Sequence, residues 1–118
     1  MLLTLLKAKL HMARVTSAEL DYEGSMSIDR DFMDAVGLLP HEKILVANRE
    51  NGHRLETYVI EAPRGSKTIG LNGAAAHLGK KGDRVIILAF CQVTEEEAKT
   101  HRPIVAVFGE GNQIVRLN

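Results

Sequence analysis

The chain has 118 residues, of which 45% are hydrophobic and 25% charged, with 15 Lys and Arg balancing 15 Asp and Glu. That length suits one domain with its own core, needing no metal or disulfide staple. A formal charge of zero removes the basic excess that wholesale phosphate neutralisation requires, so generic nucleic-acid binding is disfavoured.

Leu2, Thr4, Leu6, Ala8 and Leu10 alternate with Leu3, Leu5, Lys7, Lys9 and His11. This period of two predicts a strand with one mostly apolar face and with Lys7, Lys9 and His11 gathered on the other. The apolar start is cut by Lys7 and Lys9, has no basic segment before it and no small-residue cleavage site after it, so no signal peptide is expected. No apolar stretch approaches the roughly 18 residues of a membrane helix. The lone Cys91, inside Val85–Cys91, reads as a core thiol of a reducing compartment, and a cytoplasmic protein is the default expectation.

Arg14 to Tyr22 reads as a second strand. Between Ser27 and Gly37, Phe32, Met33 and Val36 fall at helical spacing, with Asp29 as amino-cap and Gly37 and Pro40 as the stop. Ile44–Asn48 and Leu55–Glu61 flank Asn51-Gly52, the strongest local signal, and predict a β-hairpin. Thr68–Leu71 predicts a short strand, and Gly73–Leu78 has room for only about two helical turns. Asp83–Val93 is apolar at odd and even positions alike, as in a central strand buried on both sides. Thr94-Glu95-Glu96-Glu97 has the spacing of a capping box. Ile104–Phe108 and Gln113–Leu117 close the chain as strands around Gly109–Asn112. Six or seven short strands with three small helices, lacking βαβ alternation, predict a mainly β single domain, a small β-barrel with short helical inserts.

His11, His41, His53, His77 and His101 show no metal-ligand spacing, so no metal is expected. Cys91 lacks the exposed, electropositive setting of a nucleophilic thiol. Tyr22-Glu23-Gly24-Ser25 and Gly65-Ser66 both read as turns. A second reading of the first is chemical. A serine hydroxyl held against the preceding, uncrowded glycine carbonyl can convert the amide to an ester. β-Elimination and hydrolysis then leave a pyruvoyl ketone on the new amino terminus.

Asn72-Gly73-Ala74-Ala75-Ala76 is either a helix start packed through small side chains or a set of unhindered N–H donors for a carboxylate. Arg54 and Tyr58 share a face of one strand and Thr57 points oppositely. All three can serve one pocket only if the strand twists or bulges, or if the pocket lies at a subunit boundary.

Lys9-Leu10-His11, Tyr22-Glu23-Gly24-Ser25 with Ile28-Asp29, Thr57-Tyr58 and Asn72–His77, taken in order and spacing over about residues 1 to 108, resemble the bacterial aspartate 1-decarboxylase family. The resemblance implies a double-psi β-barrel, a homotetramer with active sites between subunits, and self-cleavage into residues 1–24 and 25–118. In such enzymes the covalent pyruvoyl group made from Ser25 condenses with the amine of L-aspartate. It then takes up the electrons released as carbon dioxide departs, and β-alanine, a precursor of pantothenate, is the product.

Carried over by motif, Tyr58 is the expected proton donor. Thr57 is expected to hold substrate and the oxyanion formed at Gly24. Gly73, Ala74 and Ala75 are the backbone donors to substrate, and Asn72 orders the site. Lys9 and Arg54 are the carboxylate partners, and His11 and Tyr22 the pocket walls. Some members of that family need a separate maturation factor for cleavage. The competing reading from another class is a non-enzymatic oligomeric β-barrel that binds a partner or DNA. In that case Asn72–Ala76 is packing only.

Overall fold

The structure, a computed structural model, describes all 118 residues. Nine strands form it: β1 (Leu2–Arg14), β2 (Ser17–Glu19), β3 (Met26–Asp29), β4 (Lys43–Asn48), β5 (Arg54–Ala62), β6 (Ile69–Asn72), β7 (Arg84–Thr94), β8 (Ile104–Phe108) and β9 (Ile114–Leu117). Two short helices, α1 (Arg30–Val36) and α2 (Glu95–Ala98), and two 3₁₀ turns, Gly73–His77 and Glu110–Asn112, are inserted between them. The strands run β2-β6-β3-β5-β4-β7-β1-β8-β9, and β1/β8, β2/β6 and β3/β5 are parallel pairs in an otherwise antiparallel sheet. This mixed sheet wraps one aliphatic core, the small barrel expected of the chain. Aromatic packing inside it is limited to Phe32 against Phe108, edge to face at 4.8 Å.

The local signals act as elementary chemistry requires. The Asp29 carboxylate accepts from Asp31 N–H at 2.8 Å to cap α1, and Gly37 ends it at φ 78°. The Thr94–Glu97 capping box is complete in both directions. β4 and β5 pair antiparallel from Lys43↔Tyr58 to Ala47↔Arg54 across the Asn51-Gly52 turn.

Five expectations need correction. The strand expected from Arg14 to Tyr22 is instead the end of β1 plus the three residues of β2. Between them, Val15 pairs with the backbones of Gly82 and Asp83, and Thr16 with that of Ile69, so no regular ladder is available. Met26–Asp29 is strand, and the helix occupies only Arg30–Val36.

The trio Lys7, Lys9 and His11 is broken because the register of β1 on β7 shifts between Leu6 and Ala8. Lys7 is the extra residue, and its Nζ binds Glu42 at 2.8 Å. Finally, β7 is central in the order but buried on one face only: Val85, Ile87 and Ala89 are in the core, whereas Ile86 and Leu88 are half-buried and Phe90 is 46% exposed. Cys91 is likewise half-buried rather than a core residue. The outer face of β7 has no second layer within one chain to cover it. No helix is long and apolar enough to cross a membrane.

Candidate active site

Two strand pairings bring distant residues to one place. β3 pairs antiparallel with β6 through Met26↔Leu71, and the Asn72 N–H donates to the Ser25 carbonyl at 3.1 Å. On its other side β3 pairs parallel with β5 through Met26↔Val59. One residue before that pair on each strand lie Ser25 and Tyr58. The sheet therefore sets Ser25 between Asn72 and Tyr58, residues 47 and 33 positions away in sequence.

Gly24 and Ser25 both have positive φ, 100° and 82°. The value is ordinary for glycine and strained for serine, whose Cβ crowds the backbone there. Ser25 is buried, with its hydroxyl 3.3 Å from the Asn72 side-chain amide, which also donates to Ser27 Oγ at 2.8 Å. Asn72 thus holds Ser25 through both backbone and side chain.

Asn72 also opens the 3₁₀ turn Gly73–His77, where the sequence predicts about two helical turns. Gly73 sits at φ 65° with its α-carbon pressed on the Tyr22–Gly24 loop. Ala74 is exposed beside the cleft, and Ala75 is buried.

The cleft over Ser25 has a volume of about 360 Å³ and is lined by Gly24, Ser25, Leu55, Glu56, Thr57, Tyr58, Asn72, Ala74, Ala75 and Leu78. Thr57 and Tyr58 both reach it, although they alternate along β5. Tyr58 is 40% exposed, with the His41 ring 6.4 Å away. A larger hollow, 490 Å³, lies between Lys43, Glu56, Phe90 and Cys91 and contains neither a strained residue nor any of the expected site residues.

Five expected site residues do not line this cleft, and the first of them, Gly73, is turned instead against the Tyr22–Gly24 loop. Tyr22 is exposed on the loop beyond Gly24, and Arg54 is exposed at the start of β5, about 13 Å along the strand from Tyr58. Lys9 and His11 lie on β1, next to β7 and β8. His11 pairs with Val107, which in turn pairs with Arg116, so Lys9, His11 and Arg116 form a basic cluster of their own. Burial, then the charges of Lys9 and Arg116, push the His11 imidazole below its ordinary pKa, and its Nδ1 is buried without a partner.

Glu56, ion-paired to Lys43, is the only charged residue of the cleft, so within one chain nothing there neutralises an anionic substrate. Sequence reasoning missed Glu56, Leu55 and Leu78 as lining. Glu56 was findable by alternation from Tyr58, whereas Leu78 arrives only through the 3₁₀ turn.

The family described as "Aspartate decarboxylase" matches residues 1–115. The chain belongs to the aspartate decarboxylase family. It is 59% identical over 116 residues to an aspartate 1-decarboxylase of Hyphomonas neptunium, covering 98% of each chain. It is 60% identical over 114 residues to that of Caulobacter vibrioides, covering 97% of each. With that of Bacillus licheniformis it shares 56% over 111 residues, 94% of this chain and 87% of the relative. The aspartate decarboxylase match therefore includes every residue of the cleft and Lys9, His11, Tyr22 and Arg54, while Arg116 lies beyond it.

Proposed function

We infer that this aspartate decarboxylase converts L-aspartate to β-alanine and carbon dioxide, the step that supplies pantothenate synthesis, and that it does so with a pyruvoyl group generated from its own Ser25. The observation that carries the reading is the strained, buried Ser25 at φ 82°, following Gly24 at φ 100° and fastened by Asn72. Ser25 Oγ attacks the Gly24 carbonyl carbon and the peptide C–N bond breaks, giving an ester. Loss of the serine α-proton then expels the Gly24 carboxylate and leaves dehydroalanine at position 25. Water converts it to the pyruvoyl ketone with release of ammonia, giving chains 1–24 and 25–118. Strain at Ser25 lowers the barrier to the first step, and the Thr57 hydroxyl is the donor for the oxyanion at Gly24.

The cleft fits the group. Gly24, Ala74 and Ala75 contribute little side-chain bulk to its lining, and the Thr57 and Tyr58 hydroxyls have no partner elsewhere in the chain to compete for them. The pyruvoyl ketone supplies a carbonyl that captures the substrate amine and draws off the electron pair left by decarboxylation. Around it, Ala74 and Ala75 bring backbone close to the substrate, with Gly73 holding the turn. Tyr58 returns a proton to the α-carbon, and Asn72 keeps position 25 in place.

The cations come from elsewhere in the assembly. Lys9 and His11, far from their own cleft, are supplied by a neighbouring copy, with Tyr22 and Arg54 completing the walls and the second carboxylate contact. A cleft with no free cation of its own and a basic cluster on β1 that lies outside it support the homotetramer with sites between subunits. The single free Cys91 suits a reducing, cytoplasmic setting.

Intact mass of the purified protein, before and after incubation with cell extract to supply any maturation factor, tests the processing step. Two chains are expected, the larger reacting with hydrazine and releasing carbon dioxide from L-aspartate. A Ser25→Ala protein should stay one inactive chain, and cleavage of that variant would refute Ser25 as nucleophile.

A further inference from the structure

Outside the active-site cleft, the cations of this chain are unevenly satisfied. Lys7, Arg30, Lys43, Arg49, Arg64, Arg84 and Lys99, seven of the 15, have carboxylate partners. Three that have none, Arg14, Lys67 and Lys81, converge on one cleft of about 450 Å³ at the end of β1. Val15, Thr16, Gly82, Gly111 and Asn112 complete its lining, and no acidic residue contributes to it. The nearest acids in sequence are Asp83 and Glu110. The Asp83 carboxylate is turned inward to Asn48 and the Lys80 N–H.

The cleft is built rather than fortuitous. Buried Asn112, at φ 54°, accepts from Arg14 N–H at 2.7 Å and donates to the carbonyls of Arg14 at 2.9 Å and Lys67 at 3.0 Å. One side chain therefore fixes the backbones of two of the three cations. Lys67, at φ 60°, carries its ammonium over the Phe32 ring at 5.6 Å, and Arg14 Nη1 donates to the Gly82 carbonyl at 3.0 Å, leaving its other N–H groups free. Left-handed backbone at Lys67 and Asn112 is thus stored in a cleft lined by three cations and no acidic residue.

We propose that this cleft is a second ligand site, separate from the decarboxylase site, that binds the phosphate group of a small phosphorylated molecule. A compact divalent oxyanion offers acceptors to a guanidinium fork and two ammonium groups at once, and the cleft is larger than a bare phosphate, leaving space for an organic remainder. Binding supplies the counter-charge that the lining lacks, and a ligand held only by the folded state stabilises it as occupancy rises.

The test is calorimetric titration and thermal unfolding of the purified full chain with inorganic phosphate and pyrophosphate, and with citrate, at constant ionic strength. Saturable binding and a rise in melting temperature with both phosphates are expected. Lys67→Gln/Lys81→Gln should weaken binding at least fivefold while decarboxylation is unchanged, and Lys81→Gln alone, at an exposed position, should weaken it at least twofold. A Lys9→Gln protein should bind phosphate normally. Equal affinity for citrate, loss of binding in Lys9→Gln, or undiminished binding in both Lys81 variants would each overturn the proposal.

Discussion

A β-carbon added to Gly73 would stand 2.7 Å from the Gly24 nitrogen and 2.8 Å from the Tyr22 carbonyl oxygen. The two glycines are 49 residues apart, yet the turn that opens at Gly73 and the loop that carries the Gly24–Ser25 bond touch with no space for a methyl group. Any larger residue must push that loop away. Gly73→Ala also places a side chain at φ 65°, a further cost of roughly 1–2 kcal/mol. The Gly73→Ala protein should therefore fold less stably and cleave at least tenfold more slowly than the parent on denaturing gels. Cleavage at the parental rate would show that the contact does not set the geometry of the bond.

The proposed roles of Tyr58 and Ser25 can be separated by experiment. Since the phenol has no hydrogen-bond partner within the chain, Tyr58→Phe should fold and cleave normally. It should nevertheless lose roughly 10²–10⁴-fold in decarboxylation, the usual worth of a positioned general acid. Processing is read by mass and turnover by carbon dioxide release. Turnover within threefold of the parent would assign the proton to another group.

Asp29 is fully buried, and its carboxylate accepts from the N–H groups of Asp31, Gly65 and Lys67 at 2.8, 3.2 and 2.8 Å. It both caps α1 and ties down the loop after β5. Asp29→Ala leaves those donors unpaired and should cost about 3 kcal/mol in urea unfolding, combining a lost cap with buried unsatisfied N–H groups. A loss below about 1 kcal/mol would mean that water replaces the carboxylate.

His11 sets a pH dependence. Its pKa in the folded state lies below the ordinary value of 6.5, through burial first and then Lys9 and Arg116. The unfolded chain therefore takes up a proton before the folded one does. The contribution of His11 to stability is complete above about pH 6.5 and declines as pH falls through its lowered folded value. Denaturant midpoints should drop between pH 7.5 and 5 by less in His11→Gln than in the parent. Identical slopes would assign the acid sensitivity to other groups.

Much of this molecule is legible in sequence because its signals are local. Asp29 and Gly37 bound α1, Asn51-Gly52 closes the β4/β5 hairpin, and Thr94 with Glu97 builds a capping box, each by contacts within a few residues. The β1 bulge at Lys7 escaped because register is decided by the partner strand and by Glu42, 35 residues on. The half-covered face of β7 escaped for a similar reason, since an apolar residue on an outer wall has the same side chain as one in the core.

For the proposed site, sequence alone supplied the candidate residue types: a Gly-Ser bond, an adjacent threonine and tyrosine, and an asparagine before a run of small residues. It also carried the family, because motif order and spacing survive in one dimension. Only tertiary structure decided that Ser25 is strained under Asn72 and that Thr57 and Tyr58 share its cleft. It alone showed Lys9 and His11 lying elsewhere in the same chain, and Arg14, Lys67 and Lys81 converging. Backbone strain, cross-strand register and uncompensated charge are properties of how distant segments meet, and no local run of residues contains them.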